Sequence, residues 1–164
     1  MDSTTSAGQA ERDEPGGVFR AELAADLTSA RQARSAVRQA LAAWGMDDPG
    51  GAAELLASEL VANAAEHTGT PIGLALRHHP GSAGERGITC EVTDASPSPP
   101  RPRQAKPDDE RGRGLAIVTA LATASGVRTE PAGKTSWLTV ALRDRQEATT
   151  RPSRQAEPEA EAGA

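Results

Sequence analysis

The chain has 164 residues, a formal net charge of −5 and only 2% aromatic residues. Leu, Val, Ile and Phe account for 23 residues, or 14% of the chain, which is below the roughly 20% under which composition favours disorder. No apolar run approaches the roughly 18 residues of a membrane span, and the polar, acidic N-terminus lacks a secretory signal pattern. A single Cys excludes an intramolecular disulfide and a cysteine-rich zinc site. We therefore expect a cytoplasmic protein.

These 23 apolar residues all lie within 17–143, which predicts one domain of that extent. The segments 1–16 and 144–164 have net charges of −3 and −2 and are rich in Ala, Glu, Arg, Ser, Pro and Gly, so they are predicted to be disordered tails. Residues 17–143 are neutral, with 14 basic and 14 acidic groups. A neutral domain argues against direct nucleic-acid binding, which needs a basic surface.

The first half of the domain is predicted to contain one strand and two helices. Alternating polarity predicts a strand at 18–23. Apolar residues at helical spacing then predict a helix that starts at a cap within 26–29 and ends at Gly45. A second helix is predicted from 47–48 to about His67.

Two further strands and a long loop follow. The segments 72–77 and 88–93 both alternate in polarity, and the turn between them contains His78 and His79, interpreted as a solvated loop pair. Residues 94–111 hold five of the twelve prolines and no large apolar residue. They are therefore predicted to form a loop, as a lid, a binding loop or a disordered segment.

The last part of the domain is predicted to contain a helix and two strands. The helix opens at 112–114, and the strands cover 127–129 and 135–142. The order of elements predicts an α+β fold: a two-layer sandwich in which a mixed, mostly antiparallel sheet has its helices on one face.

Three polar residues on the second helix, Glu59, Asn63 and Glu66, share one face because they are spaced i, i+4 and i+7. Carboxylate and carboxamide oxygens are hard ligands that suit Mg²⁺. A carboxylate one turn away can orient or deprotonate a nucleophile. An ordinary solvated polar face would have the same spacing and remains an alternative.

Two other segments offer binding chemistry. Asp94 closes a strand, where a carboxylate can accept hydrogen bonds from an exocyclic amine or simply begin a turn. Gly112 and Gly114 allow close approach of the backbone to a ligand, and the following helix N-terminus can bind an anion, although an ordinary turn has the same sequence. The run 133–135 resembles the end of a P-loop, but Arg128 occupies the required glycine position and a strand follows.

Taken in order, these segments resemble the GHKL ATP-binding superfamily, which has the Bergerat fold. The nearest group is the single-domain bacterial anti-sigma factor serine/threonine kinases and related regulators. The motifs that carry the resemblance are Glu59-x₃-Asn63, Asp94, Gly112-Arg113-Gly114-Leu115 and Gly133-Lys134-Thr135. The resemblance covers essentially all of 17–143 and implies an ATP-binding domain with ATP and Mg²⁺ as cofactors.

The resemblance also implies a role for individual residues. It assigns Glu59 as the catalytic general base, Asn63 as the Mg²⁺ ligand, Asp94 as the reader of the adenine amine, Gly112 and Gly114 as phosphate neighbours, and Thr135 as a neighbour of the adenine. The loop 95–111 takes the place of the ATP lid. The family's first glycine box, D-x-G-x-G, is replaced here by Asp94-Ala95-Ser96-Pro97-Ser98, which has no glycine.

The function implied by the resemblance is regulatory. The protein would bind a sigma factor, or phosphorylate a Ser or Thr of an antagonist protein and so control transcription. The alternative is a non-enzymatic interaction module that retains the ATP-binding fold, which the missing glycines favour. A sensor histidine kinase is not expected, because its dimerising helix pair with a phospho-accepting His should precede the ATP domain, and the 16-residue N-terminal tail has no room for one. A homodimer is expected from the resemblance alone, because related kinases are often dimers.

Overall fold

The computed structural model describes residues 10–11, 17–79, 85–96 and 120–144. The described helices and strands are β1 Ala10–Glu11, β2 Val18–Leu23, α1 Ser29–Trp44, β3 Met46–Asp47, α2 Ala52–His67, β4 Ile72–His79, β5 Glu85–Asp94, β6 Ala124–Glu130 and β7 Gly133–Asp144. The prediction of an α+β sandwich is confirmed.

The sheet is built from antiparallel pairs. Its central order is β2-β4-β5-β7, with β1 on the outer edge of β2 and with both β6 and β3 on the far side of β7. Every pairing among the described strands is antiparallel, so the parallel pair expected of a mixed sheet does not occur in this part of the chain.

Both helices pack on one face of the sheet, here called the covered face, as predicted. Its side chains come from alternate positions of four adjacent strands, and the cross-strand register Phe19–Leu76–Cys90–Leu138 runs through its centre. All four residues are buried. The intervening positions point to the opposite side, here called the open face, because side chains alternate along a strand.

Short polar contacts fix the helix ends. The Asp48 carboxylate accepts hydrogen bonds from the backbone N–H groups of Ala52, Ala53 and Glu54 at 2.9, 2.9 and 3.2 Å. It therefore satisfies donors that the first turn of α2 leaves unpaired. Gly45 ends α1 with φ 65° and ψ 32°, a left-handed conformation that glycine adopts without a side-chain clash.

The structure corrects the predicted turn at His78 and His79, and it adds a short strand within the predicted N-terminal tail. His78 and His79 do not lie in a turn, because β4 continues through them and pairs His79 with Gly87. Ala10–Glu11, inside the segment predicted to be a disordered tail, pairs with β2.

The predicted third helix lies largely outside the described residues, in which Ala120 and Leu121 are its helical part. Within the described ranges, no helix combines the length and apolar character needed to cross a lipid bilayer.

Candidate functional site

Three elements meet at one end of the sheet, here called the site edge. A four-residue link, 68–71, joins the C-terminus of α2 to the start of β4. Near that start, Gly73 pairs with Thr93, and the next residue of β5, Asp94, pairs with Lys134 of β7. The last turns of α2, the end of β5 and the start of β7 therefore lie at the same end of the sandwich.

The polar face of α2 is partly buried. Glu59 and Asn63 are half-buried and Glu66 is exposed, whereas Val61 and Ala64 on other sides of the helix are buried. The core therefore takes the apolar side of α2 and leaves the polar face outside it.

The side chains of Glu59 and Asn63 have no hydrogen-bond or ion-pair partner among the described residues. A half-buried carboxylate and carboxamide that no described side chain engages keep their oxygen atoms available to a cation or a ligand. The described residues contain no cluster of three His, Cys, Asp or Glu side chains that could hold a metal ion alone. Any ion at Asn63 would therefore need ligand atoms or water to complete its coordination.

Asp94 lies in a buried ion pair at the end of β5. Its Oδ1 is 3.1 Å from Nζ of Lys134, and the two side chains are 1% and 5% exposed. The same oxygen accepts a 2.8 Å hydrogen bond from the backbone N–H of Ser96. Both side chains lie on the covered face, because they continue the alternation of Val92 and Leu138. The Lys134 ammonium thus offsets the charge of a carboxylate removed from water.

Gly133 brings the start of β7 directly against the end of β5. Its φ is 152°, and a Cβ built there would lie 2.0 Å from the carbonyl oxygen of Asp94 and 2.9 Å from Cα of Ala95. Any side chain would force these backbones apart, so glycine is required for the close approach that aligns Lys134 with Asp94.

Thr135 lies on the other side of the sheet. Its hydroxyl is 2.9 Å from the hydroxyl of Thr93, on the open face. Alternation along β7 therefore directs Thr135 away from the face that holds Asp94 and Lys134. The structure does not bring the Thr135 side chain together with the Asp94 carboxylate.

The open face carries a different charged cluster. Glu91 accepts hydrogen bonds from Arg77 at 3.0 Å and from Arg128 at 2.6 Å. Partial burial acts to raise the pKa of Glu91, but the hydrogen bonds and positive charges of Arg128 and Arg77 outweigh it and hold that pKa below its ordinary value. This cluster lies in mid-sheet rather than at the site edge.

Of the predicted site residues, Glu59 and Asn63 lie on α2 in the helix layer, and Asp94 lies at the end of β5 in the sheet. Gly112, Gly114 and most of the predicted lid, from 97 to 111, lie outside the described residues.

Lys134 was missed as a site residue. Counting back in steps of two from the apolar Leu138 reaches Ser136 and then Lys134, so strand alternation alone already assigns Lys134 to the covered face.

A match to a known protein family shows which family the chain belongs to. The family of histidine kinase-like ATPase domains matches residues 23–140. The chain belongs to this family. A search of curated proteins gives no match. The histidine kinase-like ATPase match spans both layers of the sandwich and includes every residue of the site edge described above.

The described residues of this histidine kinase-like ATPase domain include groups whose chemistry suits a nucleotide. A carboxylate enclosed at the end of β5 can accept hydrogen bonds from the exocyclic amine of a purine. Glu59 and Asn63 offer oxygen atoms that no described neighbour uses. The family membership supports ATP as the ligand of this domain.

Proposed function

We propose that this chain binds ATP together with Mg²⁺ and acts as a regulator of the anti-sigma factor kinase type. It would bind a sigma factor, or phosphorylate a Ser or Thr on an antagonist protein. The observation that carries the proposal is the combination of two features, one in the helix layer and one at the site edge. One is the half-buried Glu59 and Asn63 without described partners, and the other is the enclosed Asp94 carboxylate.

Each residue has a distinct part in the proposed site. Asp94 accepts hydrogen bonds from the amine of the adenine, and Asn63 supplies an oxygen ligand to Mg²⁺. Gly112 and Gly114 are proposed to line the phosphates, as the family resemblance implies. Thr135 keeps its predicted place near the adenine only if its backbone, rather than its side chain, makes the contact, because its hydroxyl is on the open face.

In the kinase form of the proposal, Glu59 acts as the general base. It accepts the proton of the Ser or Thr hydroxyl while the oxygen of that hydroxyl bonds to the γ-phosphorus. The bond from that phosphorus to the β–γ bridging oxygen breaks, and ADP leaves. Bound Mg²⁺ neutralises charge on the phosphates, so positioning by Glu59 and Asn63 is the main contribution of the protein.

The binding proposal is tested by titrating ATP with and without Mg²⁺ in a calorimeter. We expect Asn63→Ala to lose the Mg²⁺-dependent part of the affinity, about tenfold or more, because it removes a metal ligand. Gln39→Ala is the matched control, since it removes an exposed carboxamide from α1, far in sequence from the site edge. Mg²⁺-dependent affinity that is unchanged in Asn63→Ala would contradict the assignment.

A non-enzymatic interaction module is the second candidate. The observation that favours it is the run Asp94-Ala95-Ser96, which lacks the glycines of the first glycine box. Partners that co-purify with the chain from its source cells are incubated with γ-labelled ATP and either wild type or Glu59→Gln. Label transfer by wild type alone supports the kinase, and ATP binding without transfer supports the module.

A further inference from the structure

One oxygen of the Asp94 carboxylate, Oδ1, is already occupied in this structure, and the side chain as a whole is enclosed. Oδ1 accepts from both the Ser96 backbone N–H and the Lys134 ammonium, and the Asp94 side chain is only 1% exposed. The exocyclic amine of a base can reach this carboxylate only if one of the groups around it moves.

Of the two donors, Lys134 is the one able to leave. The donor of Ser96 is a backbone N–H two residues from Asp94 in the chain, whereas the Lys134 ammonium lies at the end of four rotatable methylene groups. The position of its backbone is fixed, because Gly133 leaves no room between the start of β7 and the end of β5. Movement at Lys134 is therefore confined to its side chain.

We propose that Lys134 is an internal competitor for the base-binding carboxylate: it pairs with Asp94 in the nucleotide-free protein and must withdraw before the adenine amine can bind. The inference rests on the proposed ATP binding and adds a regulatory residue to it. A neutral amine compensates a buried carboxylate less well than an ammonium does, so the exchange opposes binding. The apparent affinity for ATP is then the intrinsic affinity multiplied by the fraction of molecules in which Lys134 has withdrawn.

The proposal predicts opposite effects for two substitutions at one position. Lys134→Met keeps an unbranched apolar stem but removes the competing cation, so ATP should bind about tenfold more tightly than to wild type. Lys134→Arg keeps the charge and can form two parallel hydrogen bonds to a carboxylate, so ATP should bind more weakly. A residue that instead contacted the base directly would give weaker binding with Met and partial retention with Arg.

The measurement is the Kd of ATP by calorimetry, with Mg²⁺ present, for wild type and both variants. Arg128→Met is the matched control, because it removes a cation from the neighbouring strand on the open face and should change the Kd less than twofold. Far-UV circular dichroism and the melting temperature establish that each variant is folded. The rise in melting temperature on adding ATP gives a second readout of binding.

Each outcome decides the matter. Tighter binding by Lys134→Met supports the competition, including the case in which only that variant binds ATP measurably. Equal or weaker binding by folded Lys134→Met overturns it while leaving the proposed ATP binding intact. If Lys134→Met does not fold, the neutral Lys134→Gln takes its place: tighter binding than wild type supports the competition, and equal or weaker binding overturns it. Absence of binding in wild type and in both variants overturns the proposed function itself.

Discussion

Asp94 and Glu91 lie three residues apart on β5, on opposite faces of the sheet. Asp94 points to the covered face, where its partner Lys134 is only 5% exposed. Glu91 points to the open face, where its partners Arg77 and Arg128 are 40% and 55% exposed. Water can solvate the arginines if their carboxylate is removed, but it cannot reach Lys134 in the same way. Similar ion pairs should therefore differ sharply in what their loss does to stability.

The largest expected effect is on the covered face. Asp94→Asn leaves the buried Lys134 ammonium without a counter-charge, so we expect the free energy of unfolding to fall by about 3 kcal/mol. Urea unfolding without nucleotide, followed by circular dichroism, measures this change. The double variant Asp94→Asn, Lys134→Met removes both charges and should recover most of the loss. A loss below about 1 kcal/mol in the single variant would show that the pair is more solvated than its burial indicates.

A smaller effect is expected on the open face. Glu91→Gln removes the charge that Arg77 and Arg128 share, and the loss at pH 7 should be below about 1 kcal/mol because both arginines remain solvated.

The sign of its pH dependence follows from the lowered pKa of Glu91. The stabilisation is complete above the ordinary Glu pKa of 4.5 and is lost as the pH falls through the lower pKa of the folded protein. Urea unfolding of wild type and Glu91→Gln between pH 7 and pH 3 should give curves that converge at the acid end. A gap that widens toward acid would contradict the assigned direction.

The contrast between the faces could be predicted from sequence only in part. Alternating polarity predicted β2 with its observed bounds, Val18–Leu23, and found the cores of β4, β5 and β7. It failed where strands are polar or very short. His78 and His79 look like turn residues, yet pairing with β5 extends β4 through them. The two-residue β3 has no periodicity to detect.

The candidate site, too, could be predicted from the sequence only in part. Helical spacing predicted that Glu59 and Asn63 share a face, because that property is local to α2. The pairing of Asp94 with Lys134 joins residues 40 apart in the chain and depends on the register of β5 with β7, which no local pattern specifies. The assignment of Thr135 as a neighbour of the adenine followed motif order, and strand alternation directs its side chain to the open face.

Thiol reactivity compares the two faces directly, and of the predictions it involves the smallest expected effect on stability. Cys90 lies on the covered face between Leu76 and Leu138 and is 1% exposed. Burial, with a further contribution from Glu91, raises the pKa of the Cys90 thiol to about 12. Since the thiolate is the reactive form, Cys90 in folded protein should react with a disulfide reagent at pH 8 only as fast as the protein opens.

Arg20→Cys provides the comparison within one molecule, because Arg20 is exposed on the open face of β2. In this variant one thiol should react at once and the second only slowly, whereas in 6 M guanidinium, roughly enough to unfold most domains, both should react together. Mass spectrometry of the fast-labelled product assigns the first modification to position 20. Rapid modification of Cys90 in folded wild type would mean that the helices leave the covered face often enough to admit the reagent. The enclosure of Asp94 by the same layer would then be transient as well, and Lys134 would have to compete with water as well as with a base.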